Sequence, residues 1–207
     1  LAFLALLASC SLPGALGNDG HFPENVPSPM LYPRSCNRDA VARSAVCDLD
    51  DMLPDDEKNV LEGMINEIGD RQATTGKGQG QLAVCYIYKM AKTFTSQYDR
   101  DIDKSAKEFA HQVHDRWGVG DTKKQDGVLL FVSIHDRVVY ITTGSGVESL
   151  FPPAVVTGVV DHMKPYLQNK HYSGALESAV TEIGLVLQGK PLPAAKREYP
   201  YYKSESY

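Results

Sequence analysis

Three carboxylates near the middle of the chain, Asp121, Asp126 and Glu148, are spaced so that they could act together. Asp126 precedes a run of apolar residues, and Glu148 follows a second such run that ends at Gly144. If the two runs pair as a hairpin, the start of the first and the end of the second lie at the same edge of the sheet. Carboxylates that meet there are suitable ligands for a divalent cation such as calcium, and a helix N-terminus nearby suits an anion. The spacing equally fits a structural role, with Asp126 in a turn and Glu148 as a surface charge, and no catalytic residue or firm cofactor is assigned.

The two apolar runs have the composition of β-strands. Residues 128–134 are almost continuously apolar, which is typical of a strand buried on both faces. Residues 138–143 are rich in β-branched and aromatic side chains, and the polar break at residues 135–137 is suited to a turn. The pattern predicts a β-hairpin whose first strand is central in its sheet, with the other elements packed around it.

Periodicity predicts one more strand and four helices. Residues 82–88 are a second apolar run, and residues 101–117 have apolar side chains at helical spacing. A strand, a helix and a strand in this order predict a right-handed crossover between parallel strands. The other three helices are expected to begin at Pro54, Pro152 and Ser173. On the first of them, the apolar residues expected on one face are Val60, Leu61, Met64, Ile65 and Ile68.

The composition excludes some classes of function. The 207 residues carry a formal net charge of −5 without a basic cluster, which argues against a nucleic-acid-binding protein. Residues 76–80 lack the ending of a phosphate-binding loop, and the acidic residues 48–51 lack the register of an EF-hand and are interpreted as the lead-in to a helix. His111 and His114 do not form a metalloprotease motif, so they are interpreted as part of a solvated helix face.

Both ends of the chain differ from its middle. Residues 1–17 are uncharged and apolar and end in small residues, which is typical of a secretory signal peptide, with a buried helix as the alternative. Residues 18–45 contain several prolines and are expected to form an extended arm that includes the start of a cysteine loop. Residues 190–207 are polar and rich in tyrosine, which indicates a stalk beside a membrane or a linker. The sequence thus predicts one folded domain, residues 46–189, in a protein of the secretory pathway.

The cysteines agree with an oxidising compartment. Cys36 and Cys47 close a short polar loop and are the expected disulfide. Cys85 lies in a predicted strand and is expected to be a buried thiol. A bridge from either loop cysteine to Cys85 is the competing assignment.

From residue 46 to residue 188 the chain resembles the TPM-domain family. That family has a W-G pair, then N-G-V-L-L, a D-R hairpin turn and G-x-G-x-E, and this chain has Trp117-Gly118 followed by DGVLLFVSIHDRVVYITTGSGVE. Pro165, Tyr172 and Gly174 match a later motif of the family. The resemblance implies an α/β fold, namely a three-layer α/β/α sandwich around a small mixed β-sheet.

The N-terminal part resembles the modulator-of-levamisole-receptor proteins within this family. The matching stretch is YPRSCNRDAVARSAVCDLDDMLPDDE, a paired-cysteine segment that ends in V-C-D-x-D. Those proteins are auxiliary subunits that enhance the gating of levamisole-sensitive acetylcholine receptors, which are pentameric cation channels. The resemblance implies such a channel as partner, no enzymatic activity, and a place on the extracellular face of synaptic membranes. It also implies a single membrane span that lies beyond Tyr207, and it does not indicate the receptor-binding residues.

Other TPM proteins imply a different activity. They include a thylakoid acid phosphatase, and some of them bind a divalent metal. By this resemblance, Asp126 and Glu148 lie at motif positions near such a metal site. Asp126 replaces the usual Asn before Gly127, and Pro152-Pro153 replace an acidic residue that is common after the G-x-G-x-E motif. A metal-dependent acid phosphatase is the alternative function, and a secreted binding module with an unrelated partner is a third.

Overall fold

The computed structural model describes residues 19–75 and 80–194, except for the side chains of residues 71–75. This part of the chain contains a four-stranded sheet in the order β1-β2-β3-β4. The strands are β1 (Val46–Asp48), β2 (Gln81–Ile87), β3 (Gly127–Ser133) and β4 (Val138–Thr143). β1, β2 and β3 are parallel, and β4 pairs with β3 in the antiparallel direction. The described residues do not include the predicted signal peptide, most of residues 76–80 or the predicted stalk from residue 195 onwards.

The predicted hairpin is confirmed, and its first strand lies inside the sheet. Every residue of β3 is buried, because β2 and β4 flank it and helices cover both faces. Alternate side chains enter different clusters, so that Val84 and Leu130 pack on one face while Cys85 and Phe131 pack on the other. Burial on two faces explains why β2 and β3 are continuous apolar runs in the sequence.

Five α-helices of the described residues form the outer layers. They are α1 (Asp55–Thr75), α2 (Lys92–Ser96), α3 (Ile102–Trp117), α4 (Pro153–Gln168) and α5 (Tyr172–Leu187). α1, α4 and α5 pack on the face that carries Val84 and Leu130, and α2 and α3 pack on the opposite face. The predicted α/β fold with three layers is therefore confirmed. Within residues 19–75 and 80–194, none of the helices is long and apolar enough to cross a membrane.

The two crossover connections lie on opposite faces of the sheet. α1 links β1 to β2 on one face, and α3 links β2 to β3 on the other. Both connections step in the same direction across the sheet. Two crossovers that step in the same direction across a sheet but pass over opposite faces have opposite handedness. One of these two crossovers is therefore left-handed, which is uncommon in proteins.

The N-terminal segment is part of the domain, not an arm outside it. Between residues 19 and 45 its extended backbone is interrupted by two short 3₁₀ helices, Pro23–Asn25 and Pro33–Cys36. Val26 is buried, and its carbonyl accepts a hydrogen bond from the Trp117 indole of α3 at 3.3 Å. The segment therefore covers the same face of the sheet as α3, which corrects the expectation of a separate arm.

A disulfide joins this segment to the edge strand. Cys36 and Cys47 are bonded, with Cα atoms 4.5 Å apart, as the short polar loop predicts. Cys47 is the middle residue of β1, so the bond ties the loop to the sheet. Cys85 is a free, buried thiol, and burial raises its pKa.

Three local features differ from the predictions. Residues 46–48 form β1, although the polar segment around them does not indicate a strand. Residues 92–96 form α2, which no pattern predicts. Val60 is 51% exposed, whereas Leu61 and Ile65 of the same helix are buried. The buried stripe of α1 is thus narrower than the apolar spacing predicts.

Candidate functional site

The segments that carry the three predicted carboxylates meet at one edge of the sheet, where β3 begins and β4 ends. The Gly144 N–H donates a hydrogen bond to the Gly127 carbonyl at 2.8 Å. A Cβ atom on Gly127 would lie 2.0 Å from the Val119 carbonyl oxygen, so the loop after α3 packs directly on the start of β3. The predicted convergence of these segments is therefore present.

The carboxylates at this edge bind groups of their own loops. Asp126 is buried, and its Oδ1 accepts a hydrogen bond from the Asp121 N–H at 2.8 Å. The Asp121 carboxylate accepts the N–H groups of Lys124 at 3.0 Å and Lys123 at 2.9 Å, and these hydrogen bonds lower its pKa. Glu148 is exposed at the start of a 3₁₀ turn. This arrangement favours the structural role that the spacing also allows.

A second group of polar residues lies at the opposite edge, where β1, β2 and β3 end. Ligands of open α/β sheets usually bind beyond the carboxyl ends of the strands, so this edge is the stronger candidate for a site. Asp48 is the last residue of β1 and is completely buried. Its Oδ2 accepts the Leu53 N–H at 2.7 Å, whereas its Oδ1 has no hydrogen-bond partner among the described residues. Burial raises the pKa of this carboxyl group.

Tyr86 of β2 is the neighbour of Asp48 in the parallel register. Its side chain is fully buried, and within the described part of the chain its hydroxyl also has no hydrogen-bond partner. Burial raises the pKa of the phenol, so the hydroxyl stays protonated at neutral pH. Polar atoms without partners on two neighbouring buried residues are unusual in a core. Since neither side chain is exposed, neither can contact a substrate in this conformation.

Lys58 supplies the positive charge at this edge. Its side chain is 1% exposed, and its Nζ lies 2.5 Å from Asp51 Oδ1 and 3.2 Å from Asp55 Oδ1. The same Nζ donates to the Asn37 carbonyl at 3.2 Å. Burial by itself would lower the pKa of Lys58, but the two carboxylates outweigh burial and raise it. The ammonium of the buried Lys58 side chain thus pairs with two carboxylates that are themselves exposed, Asp51 at 65% and Asp55 at 84%.

The residues at this carboxyl edge do not form a site for a divalent cation. Within residues 19–75 and 80–194, no three His, Cys, Asp or Glu side chains lie close enough together to hold a metal ion. Asp48 offers one free oxygen, but Lys58 already binds the neighbouring Asp51 and Asp55. The carboxylates at this edge are therefore partners of a lysine and not a set of metal ligands.

Asp50 connects the N-terminal segment to the same edge. Its two oxygens lie 2.8 and 3.0 Å from Nε2 of the buried His21, and Oδ2 also accepts the Tyr88 N–H at 2.6 Å. Burial would raise the pKa of Asp50, but these hydrogen bonds outweigh it and lower the pKa. The carboxylate therefore holds together the N-terminal segment, the loop after β1 and the end of β2.

Asp136 has a similar role in the hairpin turn. Its Oδ2 accepts the Ser133 hydroxyl at 2.6 Å and the Met90 N–H at 2.7 Å. The turn between β3 and β4 is thereby bound to the loop after β2. The acidic residues of the carboxyl edge accordingly bind groups of the domain itself, which stabilises the ends of the parallel strands.

The histidines of α3 are not both on a solvated face. His114 is 7% exposed, and burial lowers its pKa. Its Nδ1 lies 3.4 Å from the Thr142 hydroxyl of β4, and Nδ1 of the partly buried His111 lies 3.1 Å from the same hydroxyl. The edge strand β4 packs against α3 and covers this side of the helix. The prediction is therefore wrong for His114.

Sequence reasoning missed the group formed by Asp48, Tyr86 and Lys58. The sequence pattern indicates correctly that residues 48–51 lead into a helix, but it does not indicate the contacts that their side chains make. The one signal for this group is an Asp directly after the apolar Val46 and Cys47. That signal has meaning only if β1 is known to be a strand in register with β2.

The TPM domain model matches residues 46–186. The chain belongs to the TPM domain family. Among solved structures, this TPM domain is similar to the N-terminal domain of a P. gingivalis protein, with a TM-score of 0.61 and 23% identity over 82% of this chain and 92% of that one. At that identity the similarity shows a shared fold. A search of curated proteins finds no match.

Two other solved structures resemble the TPM domain more weakly. The BA42 protein of Bizionia argentinensis has a TM-score of 0.49 and 15% identity over 68% of this chain and 85% of that one. The N-terminal domain of the cg2496 protein of Corynebacterium glutamicum has a TM-score of 0.48 and 10% identity over 79% of this chain and 93% of that one.

Proposed function

We propose that this TPM-domain protein is an extracellular auxiliary subunit that binds a levamisole-sensitive acetylcholine-gated cation channel and enhances its gating. Membership of the TPM family and the resemblance of the N-terminal part to modulators of levamisole receptors support this proposal. The Cys36–Cys47 disulfide suits the oxidising conditions outside the cell. The protein acts by binding and does not catalyse a reaction.

The observation that carries the non-enzymatic part of the proposal is the position of Lys58. Its ammonium, 1% exposed, lies between Asp51 and Asp55 at the carboxyl edge of the sheet. A metal-dependent phosphatase needs a cation that can bind phosphate oxygens and activate a nucleophile. A lysine held by its own domain is not free for either task.

A phosphatase would also need free carboxylates at the other edge of the sheet. Acid–base or metal chemistry requires Asp126 and Glu148 to reach a substrate or an ion. Glu148 is exposed in a turn, but Asp126 is buried and accepts the Asp121 N–H. The buried position of Asp126 supports a binding protein rather than the alternative acid phosphatase.

Modulation of gating requires little binding energy. A ligand shifts a conformational equilibrium only by the difference between its affinities for the two states. A fewfold increase in the open population corresponds to about 1 kcal/mol. A surface that contacts the open channel slightly better than the closed one is therefore sufficient.

The proposal is tested by electrophysiology. The full-length protein is expressed together with acetylcholine-gated channel subunits, and agonist-evoked current is compared with that of the channel alone. We expect a fewfold larger current at the same number of channels on the cell surface. Unchanged current, with the protein present on the surface at normal levels, would refute the function.

A double variant separates binding from catalysis. Asp126→Asn with Glu148→Gln keeps the size of both side chains and an oxygen that accepts hydrogen bonds, but removes both charges. We expect the current enhancement to persist, since neither charge is needed for binding. Loss of enhancement at unchanged surface expression and receptor association would contradict the binding model. Hydrolysis of p-nitrophenyl phosphate by the purified wild-type protein, abolished in this variant, would support the phosphatase.

A further inference from the structure

The large apolar side chains on the surface concentrate in one loop. Met30, Leu31 and Tyr32 are 44%, 71% and 61% exposed. In the described part of the chain, the other exposed large apolar residues are Val60, on α1, and Tyr88, just after β2. Single exposed apolar residues are ordinary on protein surfaces, whereas a contiguous group marks a contact surface. Residues 30–32 are called the apolar tip below.

The apolar tip is held in one conformation by the backbone around it. The Ser28 carbonyl accepts the N–H groups of Leu31 at 3.1 Å and Tyr32 at 2.8 Å. The Pro29 carbonyl accepts the Ser44 N–H at 3.2 Å, and the following 3₁₀ helix ends at the disulfide cysteine Cys36. A preorganised loop loses little conformational entropy when it binds a partner.

A groove lies beside the apolar tip. It is an open cavity of about 370 Å³ whose lining includes Leu31, Tyr32, Pro33, Arg34, Asp39 and Val41. The exposed charges next to the tip are Arg34 and Asp39 in the groove and Arg43 beside Ser44. Two arginines against one aspartate make this region locally basic, although the whole chain carries a net charge of −5.

We propose that the apolar tip and its groove are the surface through which the protein docks on the extracellular domain of its channel partner. The partner presents an apolar centre with carboxylates at its rim, because that surface complements three apolar side chains beside Arg34 and Arg43. Tyrosine, methionine and arginine are the residue types enriched in protein interfaces. The identity of the partner rests on the proposed function, whereas the location of the surface rests on the exposed residues.

Photocrosslinking tests the location. In cells that express the full-length protein together with acetylcholine-gated channel subunits, p-benzoylphenylalanine replaces Tyr32 in one variant and Tyr88 in the control. Tyr88 is also exposed, at 46%, but belongs to a different segment, just after β2. We expect position 32, and not position 88, to crosslink to a channel peptide that contains Asp or Glu.

Each result of the crosslinking experiment has a distinct meaning. If position 32 crosslinks to an acidic peptide of a different extracellular protein, the proposed docking surface is supported and the proposed channel function is refuted. Equal yields from positions 32 and 88, crosslinks to lipid, or a contact peptide without acidic residues would overturn the proposed surface.

A matched pair of substitutions tests the functional consequence. Leu31→Glu places a carboxylate in the apolar tip, and Val60→Glu makes the same change at an exposed position of α1. Both variants should be secreted with the wild-type melting temperature, because both side chains are on the surface. We expect Leu31→Glu to weaken channel association about tenfold or more and Val60→Glu to leave it unchanged. If both variants associate equally well with a channel that binds the wild type, the proposed docking surface is wrong, whereas the proposed function is not contradicted.

Discussion

Lys58 is a residue whose charge is required inside the protein. Its ammonium binds Asp51 and Asp55 while the side chain is 1% exposed. A buried charge is tolerated when opposite charges and hydrogen-bond acceptors surround it, and removing one partner leaves the others uncompensated. Asp50 is likewise held by a hydrogen bond to His21, and Asp126 accepts the Asp121 N–H. At the residue scale the polar groups of this domain serve the fold.

Lys58→Met should lower the free energy of unfolding by about 1–3 kcal/mol, since it removes hydrogen bonds between charged groups. The control is Lys164→Met, because Lys164 pairs with Asp161 at 2.6 Å but both side chains are more than half exposed. The control should change stability by about 0.5 kcal/mol or less. Chemical denaturation measures both.

Calcium provides a further check on the Lys58 variant. Since no three His, Cys, Asp or Glu side chains of the described residues lie close enough together to hold a metal ion, millimolar calcium should leave the melting temperatures of the wild type and of Lys58→Met unchanged. A rise for Lys58→Met alone would show that the carboxylates near Lys58 hold calcium once the ammonium is removed.

His114 should make stability depend on pH. Burial lowers its pKa in the folded state below the ordinary value of 6.5. The unfolded chain therefore binds the proton more readily, so the stability that depends on neutral His114 is present above pH 6.5 and is lost as pH falls through that value. Denaturation at pH 7.5 and pH 5.5 should show a larger loss for the wild type than for His114→Gln. Parallel pH profiles for the two proteins would show that another group is responsible.

Element packing depends on close contact at the start of β3. Gly127 has no space for a side chain, since a Cβ there would lie 2.0 Å from the Val119 carbonyl oxygen and 2.7 Å from His114 Nε2. The loop after α3, the helix itself and the hairpin are thereby fixed to one another. This contact gives the glycine of the DGVLL motif a structural role.

Gly127→Ala should destabilise the domain by about 3 kcal/mol, because backbone must move to admit the methyl group. Gly63→Ala is the matched control, since no atom lies within 4 Å of a Cβ at that exposed position of α1. The control should stabilise the protein by about 0.5–1 kcal/mol, because alanine is the better helix former. Melting temperatures that shift in the same direction would contradict the proposed contact.

At the scale of the whole molecule, the folded unit extends beyond the residues that the TPM domain model matches. That match begins at residue 46, yet Val26 and Cys36 are part of the core cluster that contains Cys85 and Phe131. The disulfide and the buried segment together cover one face of the sheet. The N-terminal segment is therefore expected to be necessary for stability.

A chain that begins at Val46 should fail to unfold cooperatively, whereas one that begins at Asp19 should melt normally. The shorter chain exposes the apolar face that Val26 covers and loses the Cys36–Cys47 bond. Cys36→Ser with Cys47→Ser in the longer chain should cost about 2–3 kcal/mol, which separates the effect of the bond from that of the segment. A cooperative transition of the shorter chain near the wild-type temperature would show that the segment is dispensable.

The sequence by itself determined the elements whose signals are local. The hairpin, β2, α3 and the helices after β4 follow from hydrophobic periodicity, because burial on one or two faces dictates which positions are apolar. The TPM motifs also lie within these elements. The disulfide pairing was predictable because its loop is short, with a separation of 11 residues.

Only the tertiary structure decided the features that depend on contacts between distant residues. The Val26 carbonyl and the Trp117 indole are 91 positions apart, and Asp50 and the Tyr88 N–H are 38 apart. β1 has three residues, too few for a periodic pattern, and is defined by its pairing with β2. Whether a histidine is solvated or a lysine is buried likewise depends on which element covers it. No local pattern carries that information, since the covering element is distant in the chain.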